Sequence, residues 1–173
     1  MAKADYSVRQ RVDAINGLAQ RGRASARSAP SCSHGGACVS GDKSDLSPYM
    51  ASVKTILPGY AFANLNYRLA AIGHNLFPTQ ESDVDSAVQF LARHSAAYGV
   101  AARFVLLGVS AGGQLALLQA YKHHDPAAAA VVSFFGPTDM ADLYLHSPDT
   151  ALIKYLPLLM GGTPKQNLPL YLS

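Results

Sequence analysis

The sequence predicts an α/β fold, a mostly parallel sheet flanked by helices in three layers. Two observations predict it. Apolar runs of strand length at 60–69, 104–107 and 129–136 alternate with helical periodicity at 45–58, 82–98 and 111–124. That alternation builds β-α-β crossovers, whose fixed right hand lays successive strands parallel. The chain also has the means to bury such a sheet. Its 173 residues are 49% apolar and 14% charged, which suits one domain with a real core and excludes a disordered chain.

Residues 1–33 stand apart as an irregular or disordered basic leader, and 34–173 as the partial α/β domain. Val8, Val12, Ile15 and Leu18 could mark one short amphipathic helix, but 20–33 is Arg-, Ala- and Ser-rich and buries nothing. Six basic residues among the first thirty face only Asp5 and Asp13, so the net charge of +3 belongs to this leader. The globular part is near neutral, and no nucleic-acid partner is expected. An Arg- and Ser-rich start resembles a transit peptide, yet the two aspartates argue against one. No signal peptide is evident and no apolar run reaches membrane-spanning length, so the cytoplasm is the expected compartment.

The first helix is expected over 45–58, with Leu46, Met50, Val53, Ile56 and Leu57 on one face. Pro48 falls in its first turn and Pro58-Gly59 stops it. A strand over 60–69 runs into a loop holding Gly73, His74 and Pro78, with His74 expected to be solvated. The second helix begins near Ser82 or Asp83 and ends near Tyr98, burying Val84, Ala87, Val88, Phe90 and Leu91. The third runs from Ala111 to His124, where Asp125-Pro126 closes it. A strand over 129–136 follows. Residues 140–173 are short apolar clusters broken by prolines.

Chemistry concentrates between the 104–107 strand and the third helix. Gly108-Val109-Ser110-Ala111-Gly112 reads G-x-S-x-G in the context that motif needs, a strand, a sharp turn and a helix. A serine on so tight a turn takes strained backbone angles. Side chains at Gly108 and Gly112 would collide with the neighbouring strand and helix. The turn lifts the Ser110 hydroxyl clear of the sheet and aims the Ala111 N–H at any oxyanion formed there. A glycine-rich strand-to-helix turn could instead cradle a phosphate.

A second glycine cluster, His34-Gly35-Gly36-Ala37, can turn backbone N–H groups toward a common point and suits an oxyanion hole. Gly36 to Ser44 also lies one residue from a P-loop pattern. However, the inserted Asp42 displaces Lys43 and brings a carboxylate where phosphates would sit. Cys32, His34 and Cys38 lack a fourth ligand for zinc, so no metal is expected and no cofactor is implied.

Four blocks together resemble the α/β-hydrolase superfamily, esterase/lipase type, closest to small carboxylesterases with a His-Gly-Gly-(Ala/Gly)-Trp motif. They are 34–37 with Ser40-Gly41-Asp42-Lys43, then Asn66-Tyr67-Arg68-Leu69, then Phe77-Pro78 with Asp83 and Ala87-Val88, and finally 108–113. The resemblance implies Ser110 as nucleophile and the N–H groups of Gly36, Ala37 and Ala111 as oxyanion hole. His34, Gly35, Gly108, Gly112 and Gly113 support the motif. It makes Arg68 and Asp83 a structural pair, and small carboxylic esters the substrates. Tyr144, Leu145, Leu156, Leu158, Leu159 and Met160 would begin an apolar cap or acyl-pocket wall.

Three departures qualify it. No apolar strand precedes His34, and Cys38 stands where the family usually has tryptophan. After Ser110 the family places an acid and then a histidine on later strands, and this chain offers no clear pair. His123 and His124 are about 20 Å from Ser110 along the third helix. His146 with Asp142 or Asp149 is conceivable, although a loop histidine is usually only solvated. The expectation is therefore a fragment whose sheet lacks a central strand, marginal unless another chain completes it. Its function is serine carboxylesterase or, alternatively, a truncated remnant or binding module without a complete triad.

Overall fold

The computed structural model describes residues 29–146. The leader over 1–28 and the apolar clusters over 147–173, Asp149 included, lie outside these residues. Four strands, β1 (Ala29–Ser33), β2 (Ala63–Leu65), β3 (Phe104–Val109) and β4 (Ala128–Phe134), form one parallel sheet in the order β2-β1-β3-β4. The helices are α1 (Ser47–Ile56), α2 (Thr79–Arg93), α3 (Ala111–Lys122) and α4 (Met140–His146), with a 3-10 turn at Lys43–Leu46 before α1.

β1 corrects the sequence reading. The segment expected to hold no strand is the strand between β2 and β3, in register Ser31↔Ala63 and Ser31↔Leu106. Ala-Pro-Ser-Cys-Ser carries no apolar signal, and proline normally argues against a central strand. Pro30 is tolerated near the strand's start, where β2 has not yet begun. The expected gap is therefore filled from within the chain, which removes the stated reason for a second chain.

Topology fixes the layers. From β1 the chain crosses through α1 to β2 on one side, then returns through α2 and α3 to β3 and β4 on the other. Right-handed crossovers running in opposite directions put their helices on opposite faces. The packing agrees. Alternate residues of β3 face opposite ways, so Leu106 joins Val88, Leu91, Leu115 and Ala116 from α2 and α3. Leu107 joins Met50, Val53 and Phe62 on the α1 face. The first cluster is the main core. The α1 face is less filled and leaves an apolar cleft of about 350 Å³ between Met50, Val53, Val109 and Phe134.

Several boundaries moved for local reasons. β2 is confined to three residues, which pair with the last three of β1. α2 starts three residues early, at Thr79 after Pro78, because polar Gln80, Glu81 and Asp83 are buried against partners elsewhere. Gln80 Nε2 donates to the carbonyls of Arg68 and Asn75, and Glu81 meets Lys122 and His123 at the end of α3. α2 ends at Arg93 rather than Tyr98. The short helix α4 was not anticipated. Its Leu145 is exposed, so that expected cap residue covers nothing among the described residues.

Candidate active site

β1 and β3 are adjacent, yet the chain leaves them in opposite directions. Their carboxyl ends therefore open onto a topological switch point, the place where open α/β sheets bind ligands. The two glycine-rich segments singled out in the sequence both start here. His34-Gly35-Gly36-Ala37 leaves β1, and Ser110 leaves β3.

Ser110 is the N-cap of α3, with φ 53° and ψ −120°. An L residue holds such angles only when its surroundings fix them. The Ser110 N–H donates to Phe134 O at 2.9 Å, extending the β3–β4 ladder, while Ser110 O accepts from Gly113 and Gln114 as the helix begins. The glycines act as expected. A Cβ at Gly108 would strike the Gly112 carbonyl, and one at Gly112 would strike Ser33 O and lie 2.5 Å from His34 O. Gly113 makes room for Ser133 Oγ. α3 is thus pressed against the end of β1.

The loop after β1 lies against the elbow. A Cβ at Gly35 would sit 3.2 Å from Ser110 Cβ. Gly36, Ala37 and Cys38 follow with φ of 93°, 50° and 62°, three left-handed residues in succession. The carbonyl of Gly36 accepts from Val39 and Ser40, and that of Cys38 from Ala70. Among the described residues the Gly36 and Ala37 N–H groups have no acceptor. The structure thus brings together His34, Gly35, Ser110 and Gly112, with Gly36, Ala37 and Ala111 one or two residues further along the same backbone.

Sequence reasoning missed what holds the loop. Asp42, which the sequence reading quoted in a family block and weighed against a phosphate loop without giving it a role, caps the 3-10 turn. Its carboxylate accepts from Ser44 N–H, Ser44 Oγ and Asn66 Nδ2 at 2.6 to 2.9 Å. These hydrogen bonds hold its carboxyl well below the usual carboxylate range. Asn66 Oδ1 in turn accepts the Lys43 N–H at 2.6 Å. The amides a phosphate would need at Lys43, Ser44 and Asp45 already have acceptors. Tyr67 is buried and donates to the carbonyls of His34 and Gly35. Arg68 and Asp83 pair as expected, through Nε and Nη2, with the Arg68 N–H also donating to Asp83. The signal for this group was the Asn66-Tyr67-Arg68 block, to which only Arg68 had been given a role.

All six histidines fall within the described residues, and none hydrogen-bonds Ser110. His34 Nδ1 meets Gly35 O, and His94 Nδ1 meets Phe90 O. His74 is in an exposed loop, as expected. His123 lies between Glu81 and Asp85 at the far end of α3, and His124 is exposed just beyond it. His146 Nδ1 pairs with Asp142 at 2.8 Å, but the two side chains are 71% and 68% exposed, four residues apart on one helix. Among the described residues no cluster of three ligating side chains could hold a metal. None of the helices there is long and apolar enough to cross a membrane.

The family model BD-FAE matches residues 31–173, which takes in both segments of this site. The chain belongs to the BD-FAE family. It has the α/β-hydrolase fold of esterases. A phosphonylated esterase 2 from Thermogutta terrifontis superposes with a TM-score of 0.68 at 25% identity, over 87% of this chain and 59% of that one. A bacterial heroin esterase gives 0.67 at 24% identity, over 87% and 54%. A bifunctional GH43-CE protein from Bacteroides eggerthii gives 0.68 at 23%, over 86% and 22%. The chain therefore spans between about a fifth and three-fifths of these proteins' lengths. No curated protein sequence matches it.

Proposed function

We propose that this BD-FAE domain is a serine hydrolase of the carboxylesterase type, acting on small carboxylic esters through an acyl-enzyme at Ser110. The observation that carries the reading is the strained Ser110 at the switch point, with Gly35 packed against its Cβ. A hydroxyl held there attacks the ester carbonyl as a base takes its proton. The developing oxyanion accepts hydrogen bonds from the N–H groups of Gly36, Ala37 and Ala111. As the oxyanion collapses, the C–O bond to the alcohol breaks and the alcohol leaves with the proton the base had taken. Water then attacks the acyl-enzyme, releases the acid and restores the serine.

A second reading rests on an equally specific observation, that no histidine of this sequence meets Ser110. On that reading the domain keeps the elbow and loop as a binding module. One experiment separates the two. Esterase 2 is a structural relative seen phosphonylated by sarin, which makes a phosphonate the natural probe. Folded protein is treated with a fluorophosphonate and mapped by peptide, with Ser110→Ala as control. Labelling at Ser110 alone, lost in the variant, is the expected result for an esterase. Folded protein without label refutes the esterase and leaves the binding module.

A further inference from the structure

The group missed in the sequence does more than hold the loop in place. Tyr67 reaches across from beyond β2, and its hydroxyl is 2.9 Å from both His34 O and Gly35 O. Its ring stacks on the His34 imidazole, with centroids 4.3 Å apart and planes 19° from parallel. The imidazole turns Nδ1 to the same Gly35 carbonyl at 2.9 Å. A carbonyl can only accept, so Nδ1 carries the proton. Gly35 O therefore takes hydrogen bonds from two buried side chains.

A peptide unit is planar and trans, so the Gly35 C=O and the Gly36 N–H belong to one rigid plate and point in opposite directions. Fixing the oxygen fixes the N–H. Two donors on the oxygen also draw electron density from the nitrogen, which makes the N–H a better donor in turn. We propose that Tyr67 is a positioning residue for acyl transfer, clamping the Gly35–Gly36 peptide together with His34 so that the Gly36 N–H faces the oxyanion. The proposal rests on the reading of Gly36 as an oxyanion donor.

The loop needs such a clamp. Three successive left-handed residues, two of them with side chains, are not a conformation the chain keeps unaided. Gly41 helps from the other side, since a Cβ there would lie 2.5 Å from His34 Nδ1. Cys38 is buried in the same cluster as Tyr67. Burial pushes the thiol up to about 12 and the phenol above its usual range. Both therefore stay protonated at neutral pH.

Tyr67→Phe keeps the ring and removes the hydroxyl. Fluorophosphonate inactivation of the intact chain should slow about tenfold in its maximal rate, with the half-saturating probe concentration unchanged. Hydrogen exchange at the Val39 and Ser40 amides should quicken about tenfold, with β3 amides as in wild type. A variant labelled at the wild-type rate overturns the proposal, as does exchange that stays unchanged or rises equally in β3. Wild-type protein that takes no label refutes the esterase reading instead, and loop exchange alone then decides whether the clamp exists. If Tyr67→Phe does not fold, His34→Phe keeps a ring stacked on Tyr67 and removes the other donor to Gly35 O. It should move the same readouts in the same directions, and no movement overturns the proposal.

Discussion

The two halves of the site are fixed in different ways. The elbow is held by backbone against backbone. Gly108 meets the carbonyl of Gly112, and Gly112 meets Ser33 and His34, with no side chain involved. The loop after β1 is held almost entirely by side chains that come from elsewhere. Tyr67 holds His34 and Gly35, Asn66 holds Lys43 and Asp42, and Arg68 is tied to Asp83 on α2. An elbow of that kind is all-or-none, whereas the loop is adjustable. The elbow should break at a single methyl group, and the loop should weaken by degrees as its distant supports are removed.

The largest effect is expected at Gly112→Ala. The added Cβ meets two backbone carbonyls that cannot move without shifting β1 against α3. Such overlap in a packed interior belongs with the exceptional substitutions, costing about 4 kcal/mol or more. Urea unfolding should show this loss or an outright failure to fold. A cost below about 1 kcal/mol would mean that the elbow has slack and that the contrast with the loop is false.

Asp83→Ala should cost less, about 2 kcal/mol, and it probes the loop side. The carboxylate is buried at 2% exposure, whereas the Arg68 side chain is 48% exposed and can turn to water once its partner is gone. What cannot turn is the Arg68 N–H, which donates to Asp83 Oδ2 at 2.8 Å. Leaving it without that acceptor loosens the segment that carries Tyr67. The same urea titration, read beside Gly112→Ala, ranks the two halves.

This difference also explains what the sequence could show. The residues whose pattern announces the elbow all lie within 104–113, so it was legible, down to the steric role of Gly108 and Gly112, although the carbonyls that Gly112 meets come from Ser33 and His34. The Asn66 and Tyr67 supports of the loop lie 23 to 33 residues from what they hold, as with Asn66 on Lys43 and Tyr67 on His34. A tyrosine near the end of a strand carries no sign that its hydroxyl will find a carbonyl so far away. β1 was hidden for another reason. A central strand usually announces itself by apolar residues, but this one is short and small, with proline near its start. The close approach of Gly112 to Ser33 shows how tightly its end is packed. α2 was legible in its apolar half and misplaced at its polar start, where burial depends on partners from Arg68 to His123.

The smallest effect, and the one that depends on pH, is expected at Asp42. Its carboxylate caps the 3-10 turn, and Asp45 reciprocates by accepting the Asp42 N–H at 2.9 Å. Loss of such a cap costs about 1 kcal/mol. Because its hydrogen bonds lower the folded-state pKa of Asp42, folding favours the charged form. A depressed carboxyl pKa gives stability that is fully present above the unfolded value, near 4, and is lost as pH falls toward the folded value. The gap between wild type and Asp42→Ala should therefore be constant from about pH 5 to 7 and shrink below about pH 4. Urea midpoints at pH 7, 4 and 2.5 test this. A gap that persists at pH 2.5 would show that Asp42 holds the loop by its shape, with the charge adding nothing, and that Asn66 and Ser44 are satisfied as well by the neutral acid.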